Sequence, residues 1–240
     1  MNKQGKDKIS WCDFSWNPLC GCNHGCNFCY ARGIANRFKG TKAFPNGFEI
    51  TYHEERFIHP YKLRKPSKIF VCSMGDLFCK DVDRGFINKV LNVAKENPKH
   101  IFMFLTKNPE RYNEFEFFDN CWCGFSATNQ KDYNDRVGNL HGTPRHTFVS
   151  LEPMQEEISL LEAGIIPQWI IIGQETGHRE NKIKVKEEWV QKLLCEVIEL
   201  SERRNIAIHI KKNVQYKADI REYPEAMNEY FYRNKLKESI

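Results

Sequence analysis

The sequence has no stretch of about 18 consecutive apolar residues, so no membrane-spanning helix is expected. Residues 1–10 are polar and basic and lack the apolar core of a secretion signal, which predicts a frayed tail and a cytoplasmic location. Internal repeats and low-complexity linkers are missing too, so residues 1–240 read as one domain. A concentrated basic cluster, the usual mark of a dedicated nucleic-acid binder, is also lacking. Lys62, Arg64 and Lys65, and Lys211 with Lys212, are short basic patches that read as solvated surface. The net charge of +5 permits a phosphate-bearing partner without demanding one.

Cysteine is not scarce. The chain has 10, and without an export signal they point to metal or redox chemistry before disulfides. Cys12, Cys20, Cys22, Cys26 and Cys29 crowd the first 29 residues. Cys72, Cys79, Cys121, Cys123 and Cys195 are scattered, and most of these read as small buried hydrophobes.

Short apolar runs at 69–73, 101–105, 122–126, 147–151, 169–172 and 206–210 read as strands covered on both faces, with an irregular early strand near 11–16. Between them, 84–96 and 187–203 carry apolar residues at helical spacing, with stops at 97–98 and 204–205. This alternation predicts an α/β fold with a parallel sheet, a partial (β/α) barrel of about six to seven strands. Residues 40–66 read as an insertion and 216–240 as a C-terminal extension of a core at about 9–215. Polar residues gather just after the strands, where parallel α/β folds build their sites: Ser73, Gly75 and Asp76; Thr106, Lys107 and Asn108; Ser126, Thr128, Asn129 and Gln130; Ser150 and Glu152; Gly173, Gln174 and Glu175; Lys211, Lys212 and Asn213.

Cys22, Cys26 and Cys29 have C-x3-C-x2-C spacing, with aromatic Phe28 before the third thiol. Three thiolates on one tight loop can each bind one iron of a cubane cluster and leave the fourth without a protein thiolate. The spacing favours a [4Fe–4S] cluster over zinc, which would need a fourth ligand from Cys20, Cys12 or His24.

With its aromatic residue, the cysteine pattern resembles the signature of radical S-adenosylmethionine (SAM) enzymes. Trp16-Asn17-Pro18, the run Ser73 to Phe78, Leu105 to Arg111, Ser150 to Pro153 and Gly173 to Gly177 follow in order. The series resembles a phage-associated, radical-SAM-like family of unassigned function. That family often has more residues between its first two cysteines, and commonly a histidine where this chain has Cys79.

The resemblance implies that the open iron is chelated by SAM, and that a reductant such as flavodoxin or ferredoxin supplies the electron. It implies further that a hydrogen atom is taken from substrate, with a nucleic acid or nucleotide the leading class. In this reading Ser73, Gly75 and Asp76 hold the SAM amine. Ser126 and Asn129 serve its ribose or carboxylate, and Gly173 to Glu175 its adenine side. Glu152 and Glu175 are alternatively substrate-facing, and Lys107 and Lys212 offset a carboxylate or phosphate. Cys79 is a candidate hydrogen-atom donor, although a structural thiol is the plainer reading. A non-catalytic zinc or iron–sulfur binding module, and an electron-transfer protein with a fully ligated cluster, are the competing functions.

Overall fold

In the computed structural model, residues 1–5, 7–140, 145–163, 165–177, 179–201 and 205–237 are described. Strands β1 (Asn2–Lys3), β2 (Phe14–Trp16) and β3 (Leu19–Cys20) precede helix α1 (Tyr30–Arg37). After them come β4 (Thr51–Tyr52), β5 (Lys68–Val71), α2 (Arg84–Glu96), β6 (Ile101–Thr106), β7 (Cys121–Ser126) and α3 (Gln130–Val137). The chain continues through β8 (His146–Leu151), β9 (Trp169–Ile172), α4 (Glu187–Ser201), β10 (Ala207–Ile210) and α5 (Glu225–Lys237).

One eight-stranded sheet runs β1-β2-β5-β6-β7-β8-β9-β10. All pairs from β2 to β10 are parallel, and only the edge strand β1 is antiparallel. The sheet curls into a half-barrel, the α/β partial barrel anticipated from the alternating runs. The early irregular strand is real but short. Predicted strand 69–73 ends at Val71: the Cys72 amide completes the ladder to Trp16 O at 2.8 Å, and the left-handed φ of 61° at Cys72 then turns the chain out of the strand. Helix α2 has the predicted bounds; of the predicted 187–203 helix and its stop, residues 202–204 lie outside the described residues. Two crossovers carry only short 3-10 turns among the described residues, Pro109–Glu114 after β6 and Leu161–Ala163 after β8. Segment 40–66 packs closely on the sheet. Its β4 pairs with β3, and Phe57 meets Trp16 and Phe86.

Side chains alternate across the strands. One face, with Ile69, Val71, Phe102, Phe104, Cys123, Val149, Ile170 and Ile208, packs beneath α2 and α4. The concave face carries Phe70, Met103, Trp122, Phe148, Trp169 and Ile171, joined by Trp11 and by Met227 of α5. This aromatic plug fills the barrel toward the amino ends of the strands and leaves their carboxyl ends open. The open side between the edge strands β1 and β10 is bridged by the segment that follows β1: Ser10 Oγ meets His209 Nε2 at 2.9 Å, and Asp7 pairs with Lys212 at 3.1 Å. No helix among the described residues is long and apolar enough to cross a membrane.

His100 and His209 are completely buried. His100 Nε2 donates to Pro60 O at 3.2 Å. Neither Nδ1 has a partner among the described residues. Burial pulls each ring down to about 4, helped by Lys99 at His100 and Arg221 at His209. An unfolded histidine titrates near 6.5. Between that value and about pH 4 the unfolded chain therefore takes up protons that the folded chain refuses, whereas above it the contribution is constant. Stability should fall as the pH falls through this window, by up to about 1.4 kcal/mol per pH unit for each ring. Urea midpoints at pH 7.5 and 5 check this, and equal midpoints would refute it.

Candidate active site

The three sequence-selected cysteines lie on the loop between β3 and α1 and line one cavity of about 500 Å³. Gly21 and Gly25 turn this loop with φ of 85° and 72°. A Cβ on Gly21 would lie 2.3 Å from Glu49 O, so only glycine fits there. Cys29 caps α1, and its Sγ accepts the Arg32 amide at 3.4 Å. Burial pushes the Cys22 thiol up to about 12; a backbone hydrogen bond from His24 opposes the rise and the Asp76 carboxylate adds to it.

The loop is pinned to the ends of β5 and β6. Gly21 N bonds to Met74 O at 2.8 Å, and a Cβ on Gly75 would lie 2.6 Å from Gly21 O. Asp76 is the hub. Its Oδ2 accepts from Thr106 Oγ1 at 2.9 Å and from Lys107 N at 3.0 Å, and lies 2.7 Å from His24 Nε2. Its Oδ1 accepts from Phe78 N at 2.9 Å. Lys107 Nζ sits 4.6 Å from the Phe28 ring centroid, a second tie between the loop and the end of β6. Asn17 Oδ1 holds Ser73 Oγ at 3.1 Å and Met74 N at 3.0 Å, and Tyr30 OH donates to Ser73 O at 2.7 Å.

Strand-end side chains form the opposite wall: Ser126, Ser150, Glu152, Glu175 and Lys211. Glu152 and Lys211 form an ion pair, and both are mostly buried. Glu175 is held by Arg179 through two bonds, of 2.9 and 2.6 Å. A Cβ on Gly173 would lie 2.7 Å from the Glu152 carboxyl carbon, so this glycine lets Glu152 lie across β9. Of the other residues able to complete a four-ligand metal site, Cys12 is buried with its thiol on Ile9 O, and Cys20 is buried beneath Arg56. Neither lines the cavity; His24 does, with its Nε2 engaged by Asp76.

The profile of a family described as Protein of unknown function (DUF5131) matches residues 6–233, nearly the whole chain. The chain belongs to this family. No curated protein matches the DUF5131 chain. Among solved structures it is similar to a mutant spore photoproduct lyase with bound AdoMet and a dinucleoside spore photoproduct, at 10% identity and a TM-score of 0.42. That similarity covers 93% of the DUF5131 chain and 61% of the other, so the chain spans under two thirds of that protein's length.

In the DUF5131 chain, Cys22, Cys26, Cys29, Ser73, Gly75, Asp76, Ser126, Glu152 and Glu175 share the cavity wall. Four sequence-selected residues are not part of that wall: Gly173 packs against the Glu152 side chain, and Cys79, Asn129 and Lys212 stand elsewhere. Cys79 is buried in the helix-covered core, with its carbonyl on Arg111. Asn129 caps α3, its Oδ1 accepting from Asp132 N at 2.7 Å. Lys212 is exposed and pairs with Asp7, whereas its neighbour Lys211 reaches the cavity. Strand alternation carries the signal for Lys211: Ala207 and His209 face the concave side, and Lys211 N continues the ladder to Ile172 O at 2.9 Å. The same period from Phe148 selects Ser150, the first residue of the Ser150 to Pro153 run, which also lines the wall. Cys121 and Cys123 share a face, as their spacing predicts, and both are packed in the core.

Proposed function

We propose that this chain is a radical SAM enzyme whose Cys22, Cys26 and Cys29 hold a [4Fe–4S] cluster. The observation that carries the reading is the convergence of the three loop thiols, beside the buried Cys72 at the end of β5 and without Cys12 or Cys20, on a cavity at the carboxyl ends of the parallel strands. The donor set suits the group. Soft thiolates favour iron–sulfur clusters, one of the thiols caps a helix, and the alternative fourth ligands are buried or engaged. Among the described residues no three such side chains already stand at metal-holding distance, so loading draws the thiols together on their glycine-turned loop.

When bound, such a cluster supplies one electron to the SAM sulfonium and generates the adenosyl radical that takes a hydrogen atom. The chain's own residues position and shield. The Glu152–Lys211 pair offers a carboxylate for an ammonium and an ammonium for a carboxylate, the two ends of the amino-acid portion of SAM. This displaces Asp76 from the role of amine ligand, because its oxygens already serve four partners. Ser126 and Ser150 supply hydroxyls for the ribose, and Glu175, fixed by Arg179, faces the substrate side. The aromatic plug and the N-terminal segment exclude water from below and from the open edge. A nucleotide or nucleic acid is the proposed substrate class, supported by the positive balance of the chain.

Anaerobic reconstitution should yield a brown protein with about four irons per chain. SAM should perturb its EPR signal, and dithionite should then release 5′-deoxyadenosine. A colourless, zinc-replete protein that does not bind SAM would refute the reading.

A further inference from the structure

The segment from Tyr30 to Phe48 contains Arg32, Arg37, Lys39 and Lys42 and no Asp or Glu. It begins one residue after Cys29. Helix α1 buries Ala31 and Ala35 and leaves Ile34 and Phe38 exposed, at 38% and 50%. Arg37, Lys39 and Lys42 are exposed beside them, and none makes an ion pair among the described residues. Arg32 differs, since it is half-buried with its guanidinium over Phe48, on the cavity side. The loop after α1 folds back on itself: Gly40 N bonds to Phe44 O and Phe44 N to Thr41 O, both at 3.0 Å. A Cβ on Gly47 would lie 2.9 Å from Asn36 Oδ1, so this loop also packs on the helix. The cations of Arg37, Lys39 and Lys42 are therefore presented by one local unit rather than by separate mobile tails.

We infer that this outer face of α1 and its following loop is the docking surface for an acidic one-electron carrier protein. The inference rests on the radical SAM reading, which needs an electron that the chain does not contain. The cavity side of the cysteine loop is taken by cofactor and substrate, so the electron must enter from another side. Ile34 lies about 8 Å along the helix axis from Cys29, at 1.5 Å per residue. A small apolar centre with a rim of one charge is the build of a transient redox contact, in which opposite charge steers encounter. At the contact the donor is oxidised by one electron and the cluster reduced by one, with no bond made or broken. A single-stranded nucleic acid fits this face poorly. Such ligands need a groove with successive aromatic platforms, and here Ile34 separates Phe38 from Tyr30, whose hydroxyl is held by Ser73 O, on a convex helix.

The test compares two reductants on the reconstituted full chain. In a variant combining Arg37→Glu, Lys39→Glu and Lys42→Glu, cluster reduction by reduced flavodoxin at low salt should slow at least about tenfold and lose its dependence on ionic strength. Reduction by dithionite, which needs no docking surface, should match the unmodified chain. Circular dichroism checks folding, and the milder Arg37→Gln, Lys39→Gln, Lys42→Gln variant should give an intermediate rate and a weaker flavodoxin complex by titration. An unchanged flavodoxin rate in the charge-reversed variant overturns the inference. So does a variant that loses binding of a labelled single-stranded oligonucleotide while keeping its flavodoxin rate. If dithionite finds no reducible cluster in the unmodified chain, the radical SAM reading falls and takes this inference with it.

Discussion

Replacing Cys26 with alanine should leave a folded protein that takes up no cluster, with iron falling from about four per chain to a background level. Cys26 is half-buried on the loop and makes no core contact, and the bond from Arg32 to its backbone carbonyl, at 3.1 Å, survives the change. Apoprotein stability should therefore move by no more than about 0.5 kcal/mol, as for a substitution away from packed or hydrogen-bonded features. With two thiols left, the loop cannot hold three irons of a cubane. SAM-dependent release of 5′-deoxyadenosine should disappear with the metal. Cys195→Ala is the control, because that thiol is exposed on α4, far in sequence from the loop. Iron analysis and EPR after parallel reconstitution decide the matter. Full iron retention by Cys26→Ala would overturn the ligand assignment.

Asp76→Ala should have the largest effect on the empty protein. Asp76 is 5% exposed, and its carboxylate ties together the cysteine loop, the end of β5, and the end of β6. Its removal leaves the Thr106 hydroxyl and the Phe78 and Lys107 amides without their acceptor. Hydrogen bonds to charged groups and stranded buried donors each cost about 1–3 kcal/mol, and the loop can relax toward water, so a loss of about 3 kcal/mol is expected. Asp81→Ala, which removes the exposed 2.7 Å bond to Asn23 on the same loop, should cost less than about 0.5 kcal/mol. Urea denaturation of the apoproteins measures both. In reconstituted protein, Asp76→Ala should also release iron faster, since the loop that carries the thiols is no longer held. If Asp76→Ala is as stable as the unmodified chain, the hub assignment is wrong.

The network at Asp76 was not legible in the motif. The run Ser73 to Phe78 marks a strand end, and an aspartate there reads equally well as a ligand contact or a helix cap. The decisive partners, His24 and Thr106, come from segments 52 and 30 residues away. Asn129 stands apart from the cavity wall for a related reason. Its position after β7 suggested a ligand contact, but the side chain is consumed locally in capping α3, a competition that Asn often wins for the backbone. Cys79 follows a cavity-lining loop in sequence, yet the Asp76–Phe78 turn carries it into the core.

The sequence by itself determined the strand succession, the helix over Arg84–Glu96 and the three-thiol loop. Each of these rests on local order: apolar runs long enough to be buried, helical periodicity, and thiols spaced within a few residues. Only the tertiary structure decided which strand-end residues face the cavity and which side chains are already occupied. Lys211 and Lys212 differ by one residue, yet Lys211 extends the run of β10 into the cavity wall while Lys212 opens a 3-10 turn and pairs with Asp7 at the surface. The curl of the sheet then gathers Ser126, Ser150, Glu152 and Lys211 around one space, because every second position on the parallel strands points to the same concave side.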